Sequence, residues 1–227
     1  MLTILIYGDA KVGKSWLAAS APKPLLVLDV EGRGHYLPNE KKITWDVNEP
    51  PPAAGDWEVC VAPIFDFKGL VKAYAWLQRG EHCFVSVDID SLTEAQKRFL
   101  DERVGLNVPE TQDWGAVLRH LEKLVRDYRD LVRSPSNTVE CVVFVAGEEP
   151  DDSGKKRPLL QGALRKHLAY LVDVCGYMYV THDQQGTMSR NLLIQPTATI
   201  VAGDGTGKLT GPVISEPDLT RLYEELI

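Results

Sequence analysis

The chain has 227 residues, and its 25 Lys and Arg stand against 32 Asp and Glu for a formal net charge of −7. With 44% hydrophobic and 25% charged residues it has the make-up of a globular protein, which excludes a disordered or fibrous chain and one that coats nucleic acid by charge alone. No apolar run approaches the roughly 18 residues of a membrane span, and residues 1–6 (MLTILI) lack the basic start and cleavage site of an export signal, so the expected location is the cytoplasm.

In chain order, strands are predicted at 2–7 (LTILIY), 24–30 (PLLVLDV), 57–62 (WEVCVA), 83–89 (CFVSVDI), 139–146 (VECVVFVA) and 174–180 (VCGYMYV). Helical periodicity marks 14–20, 67–78, 92–104, 114–133 and 159–172 between them, while the Pro-rich stretch 48–56 reads as a loop. Beyond 180 come shorter strands, SRNLLIQP and TATIVAG, and a last helix at about 217–226. Near-continuous apolar strands alternating with amphipathic helices predict a single α/β domain over 1–227. Its mainly parallel sheet is flanked by helices and ends in a short β-rich tail. Cys60, Cys83, Cys141 and Cys175 have no C-x-x-C spacing and read as free thiols, and His82, His120, His167 and His182 lack metal-ligand spacing.

Residues 8–15, Gly8-Asp9-Ala10-Lys11-Val12-Gly13-Lys14-Ser15, match G-x-x-x-x-G-K-[ST] at every fixed position. The two glycines let the backbone wrap a phosphate with its N–H groups inward, Lys14 neutralises the β- and γ-phosphates, and the Ser15 hydroxyl ligates Mg²⁺. By residue usage such a match arises by chance roughly once in a hundred chains of this length. The setting, directly after an apolar strand and opening a helix, is the one the chemistry requires. Trp16 follows at once. It is bulky for this position, and core packing is a more common role for it than stacking on a base, although it is counted with the nucleotide-contacting residues.

A P-loop enzyme needs an acid to hold the Mg²⁺ hydration shell, expected on a strand beside the P-loop strand. The run CFVSVDIDSLTE offers Asp88 and Asp90 on one side of an extended strand. Asp90 is preferred because it stands at the carboxyl end, whereas Asp88 would be buried deeper at greater cost. The run LLVLDVEGRG also ends acidic, and Glu31, just past its strand, is the candidate to orient water against the γ-phosphate. A solvated loop position beside Gly32 and Gly34 is the plainer role for Glu31.

In their order, GDAKVGKS (8–15), LDVEG (28–32), DSLTE (90–94) and LVDVCGYMYV (171–180) resemble the RecA-like P-loop ATPases. They are most similar to the phage-encoded Sak-four type of AAA nucleotide-binding proteins associated with single-strand annealing. That resemblance implies an ATP- and Mg²⁺-dependent ATPase, stimulated by DNA, that works as a ring or filament on single-stranded DNA in phage recombination, alongside a single-strand DNA-binding protein in the host cytoplasm. It also implies that the loop holding Lys155, Lys156 and Arg157 touches DNA, although the acidic EEPDD before it makes a solvated loop the plainer reading. Two departures stand out. Gly147-Glu148-Glu149 occupies the place where relatives carry a His or Gln that senses the γ-phosphate. Gly203 and Gly205 occupy places where relatives carry Lys and Arg that reach a neighbouring subunit, leaving Lys208 as the candidate trans-acting finger, with a hairpin-loop lysine as its plainer role.

The other basic surface, Arg119, Lys123, Arg126, Arg129 and Arg133, falls on one helical arc opposite Leu121, Leu124, Tyr128 and Val132. Interleaved acids favour a solvated face with intrahelical ion pairs. A P-loop kinase of a small metabolite is an alternative, for which the Lys155–Arg157 run makes a poor lid. A further alternative is an ATP-gated loader or assembly factor with little turnover. A GTPase is disfavoured by the lack of an N-K-x-D motif.

Overall fold

The computed structural model describes residues 1–38 and 41–226. The chain opens with β1 (Leu2–Gly8), α1 (Lys14–Ala18), β2 (Leu25–Asp29), β3 (Lys42–Thr44) and β4 (Val59–Pro63). It continues with α2 (Phe67–Arg79), β5 (Ser86–Asp90), α3 (Leu92–Val104), α4 (Thr111–Leu131) and β6 (Cys141–Ala146). A hairpin of β7 (Glu148–Pro150) and β8 (Lys156–Pro158) leads to α5 (Leu164–Leu171), β9 (Val174–His182) and β10 (Met188–Leu193). The chain closes with β11 (Gly203–Asp204), β12 (Val213–Ser215) and α6 (Leu219–Leu226).

The main sheet runs β12-β10-β9-β1-β6-β5-β2-β4-β3, with β11 also on β9. From β9 through β3 all neighbours are parallel, and β10, β11 and β12 form the antiparallel margin. The expected α/β class and β-rich tail are therefore present. The strand order corrects one expectation: the acid-bearing β5 is not beside β1, because β6 lies between them.

The strands read as continuous apolar runs because both faces are covered. In β1, Leu2, Ile4 and Ile6 pack with Leu17 and Ala18 of α1 and Leu219 and Leu222 of α6. Its alternate residues Leu5 and Tyr7 pack on the other face with Leu70, Leu121, Leu124, Tyr128 and Leu164 from α2, α4 and α5. Local signals set the helix limits. Asp66 caps α2 by accepting the Gly69 N–H at 2.7 Å, and Gly80 ends it with φ 72°.

Other expectations shift for identifiable reasons. The predicted helix 159–172 begins only at Leu164, after Pro158 and the left-handed Gly162. The loop read at 151–158 (DDSGKKRP) supplies the turn and second strand of the β7–β8 hairpin, while TATIVAG gives an isolated bridge from Ile200 to Lys156 and only Gly203 to β11. Short β3 and β12 escaped prediction because their few residues carry no period. The four cysteines are free thiols, three of them buried. Among the described residues no helix is long and apolar enough to cross a membrane.

β1 and β9 approach closely where Gly8 pairs with Met178, and a methyl group on Gly8 would stand 2.2 Å from the Met178 carbonyl oxygen. Backbone cannot retreat there without breaking the sheet. Gly8→Ala is expected to destabilise by about 2–4 kcal/mol. Gly115→Ala, on the exposed face of α4 with open space around it, is expected to stabilise by about 0.5–1 kcal/mol. Urea unfolding midpoints of the two variants measure both effects.

Candidate functional site

A cleft of about 510 Å³ opens at the carboxyl edge of the parallel strands, lined by Gly8, Asp9, Ala10, Lys11, Gly13, Lys14, Ser15 and Trp16 of the P-loop segment. Glu31, Arg33, Asp90, Thr93, Gly147, Glu148, Leu159 and Arg190 complete it. Val12 does not line the cleft; it is buried against Leu17 and anchors the loop from below. Lys11 and Gly13 take left-handed φ of 64° and 104°, which turns the loop back over β1. The Lys14 ammonium donates to the carbonyls of Gly8 at 3.0 Å and Asp9 at 2.7 Å, across the mouth of the loop. Burial holds that ammonium below the usual lysine range, opposed by the charges of Asp90, Glu31, Asp9 and Glu148.

Although β6 separates β1 from β5, α1 packs over both β1 and β6, and this carries Ser15 across to the side of Asp90, so that both residues line the cleft. Strand alternation explains why Asp90 faces α1: Val87 and Ile89 belong to the opposite face. The carboxyl of Asp90 is pushed up to about 6, chiefly by burial, with Ser15 opposing and Glu31 and Asp29 adding repulsion. Asp88 is fully buried one pair deeper, does not reach the cleft, and has one oxygen without a partner. Burial raises its carboxyl far above the usual range.

The D-x-E-G turn is folded by its first acid. Asp29 accepts the N–H groups of Arg33 at 2.9 Å and Gly34 at 2.7 Å, and its partner in register on β5 is Asp90. Glu31 is thereby held over the carboxyl end of β5, and its Oε1 accepts the Ser91 hydroxyl at 2.7 Å. Ser91 also caps α3, accepting the Glu94 N–H at 3.3 Å.

Several cleft residues had no sequence signal. Arg190 arrives from β10, and only the hairpin register places it there. Glu148, named above as the residue replacing a sensor, lines the cleft; its Oε1 pairs with Lys156 at 2.9 Å and its Oε2 is buried without a partner. Trp16 is not core but 56% exposed on the rim, because Leu17 and Ala18 take the inward face of α1.

The basic candidates lie apart from the cleft's centre. Lys156 is also bonded to the Tyr177 hydroxyl at 2.6 Å, and Arg157 pairs with Asp151 at 2.5 Å, while Lys155 sits at the hairpin turn. The α4 arc is the solvated face it was read as, with Lys123–Asp127, Arg126–Glu122 and Arg133–Asp130 pairs. Lys208 donates to the Leu226 carbonyl of α6 and follows β11, which pairs with the first residues of β9, and it is not among the residues lining the cleft.

A family model described as an AAA domain matches residues 1–206. The chain belongs to the AAA domain family. With a complete P-loop on this mostly parallel sheet, the domain is a P-loop ATPase core that binds and hydrolyses nucleotide. No curated protein matches it. Among solved structures the flagellar accessory protein FlaH from Methanocaldococcus jannaschii is similar, at 11% identity and TM-score 0.49, with 96% of this chain and 87% of that one covered.

No group of three or more His, Cys, Asp or Glu among the described residues is arranged to hold a metal. One hydroxyl and one carboxylate suit Mg²⁺, which fills its shell with phosphate oxygens and water.

Burial of Asp90 sets a pH dependence with a definite sign. Between the ordinary carboxyl range near 4 and about 6, the folded protein retains a proton that the unfolded chain has lost, so stability falls as pH rises through that window and levels off above it. Asp90→Asn is expected to flatten this slope and stabilise the protein by about 2–3 kcal/mol at pH 8. Urea unfolding in EDTA at pH 4.5 to 8 measures it.

Proposed function

We propose that this AAA domain is a Mg²⁺-dependent ATPase in which Lys14 binds the β- and γ-phosphates, Ser15 and Asp90 hold the metal and its water, and Glu31 orients the attacking water. The observation that carries the reading is the convergence of these four side chains on one cleft, with Ser15 facing Asp90 and Glu31 steadied by Ser91. Bound Mg²⁺ neutralises charge on the transferring phosphoryl; the protein's part is positioning. Lys14→Ala is expected to fold and to lose ATPase activity by 100-fold or more (about 10²), whereas Glu31→Gln retains ATP binding and hydrolyses slowly. Equal loss of binding in Glu31→Gln removes that residue from the water-orienting role.

We further propose action on single-stranded DNA as a homo-oligomer of the Sak-four type, in phage recombination together with a single-strand DNA-binding protein. What supports it is the path of the chain: the β7–β8 hairpin leaves the cleft at Gly147 and Glu148 and carries Lys155 at its turn. A second reading, an ATP-gated assembly factor with little turnover, is favoured by the carboxylate partners that Lys156 and Arg157 already have. ATPase rates with and without single-stranded DNA, together with solution mass with and without a non-hydrolysable ATP analogue, separate the two. Stimulation and assembly are expected for the first, and tight ATP binding with negligible turnover for the second.

A further inference from the structure

One wall of the cleft comes from a strand outside every motif. Arg190 stands on β10 in register with Val180 of β9. Two residues on, Leu192 pairs with Met178, the residue that pairs with Gly8 on its other side. Since β10 is antiparallel, its first residues lie at the edge where the parallel strands end, and Leu192 and Met178 belong to the face that α1 covers. Arg190 continues that row to the P-loop. A methyl group on Gly13 would come within 2.8 Å of its Nε and 3.2 Å of its Cδ.

The backbone of Arg190 is fixed by one residue from both directions. Its N–H donates to Glu216 Oε1 at 2.8 Å, and the Glu216 N–H donates to its carbonyl at 2.7 Å. The guanidinium Nε, by contrast, is buried and has no hydrogen-bond partner. A buried charged donor left unpaired is costly, and an anion in the cleft would satisfy it. Which part of the nucleotide it meets follows from the sheet. Glu31 and Asp90 lie on the β6-β5-β2 side of β1, and Arg190 lies on the opposite, β9-β10 side. A nucleotide whose terminal phosphate faces the acids has its α- and β-phosphates over the P-loop and toward β10.

The geometry points to Arg190 as a binding residue for the α- and β-phosphates, holding the diphosphate that ATP and ADP share. The inference rests on the nucleotide reading above and extends it to product retention: Arg190 slows ADP release.

Equilibrium binding of ADP, AMP and a non-hydrolysable ATP analogue to wild type, Arg190→Ala and Arg190→Lys tests it, with steady-state ATPase kinetics and melting temperatures alongside. In Arg190→Ala, affinity for ADP and for the analogue is expected to fall alike, by roughly tenfold or more. AMP binding changes less, ADP dissociation speeds up in proportion, and KM rises. Arg190→Lys keeps the charge and recovers part of the loss, which keeps the test valid should the alanine variant melt early. Unchanged ADP affinity in either variant, or a loss confined to the analogue, overturns the assignment. Failure of the wild type itself to bind ADP overturns the nucleotide reading as well, and is visible before any variant is compared.

Discussion

The approach of Ser15 to Asp90 joins two elements that the sheet keeps one strand apart. It exists because α1 does not simply follow β1 but crosses the end of β6, carrying the last residue of the P-loop over the intervening strand to the end of β5. Everything else in the cleft depends on this crossing. The glycines at 8 and 13 give the loop its return path, Val12 and Leu17 fasten it to the apolar face, and Asp29 folds the next turn so that Glu31 stands beside the same strand end.

Assembling the site in this way concentrates carboxylates where burial opposes their charge. Asp29 accepts two backbone N–H groups, Asp90 has only the nearby Ser15 hydroxyl to hold its charge, and Asp88 lacks a partner for one oxygen. The gradient runs from structural to functional. Asp29 shapes the loop, whereas Asp90 is left with capacity for a cation, at a cost in stability that a cation and its phosphates offset. Such a site is expected to be less stable empty than a version with neutral side chains, which is common where function and folding compete.

The hairpin leaving β6 shows how an acidic protein distributes its few clustered cations. Lys156 joins Glu148 at the cleft to the Tyr177 hydroxyl on β9, and its backbone carbonyl accepts the Tyr7 hydroxyl from β1 at 3.2 Å. The β7–β8 segment is therefore stitched to the strands around the P-loop, and further to Thr199 and Val201 of the tail.

The local chemistry was legible in the residues alone. The P-loop, the alternating strands and helices, the preference for Asp90 over Asp88 at the cleft and the solvated face of α4 all follow from period and spacing, which act over a few residues. What the sequence left open depends on contacts between distant segments. Trp16 turned outward because only two positions of a short helix face the sheet. The β7–β8 hairpin formed because the tail lies along it, and Arg190 entered the cleft because the β9–β10 register and the strand order put it there. By itself the sequence determined a phosphate-binding loop on a parallel α/β core. Only the tertiary structure decided which strand separates the loop from its acid and which cation stands on its far side, because strand order and register come from long-range packing that no local pattern encodes.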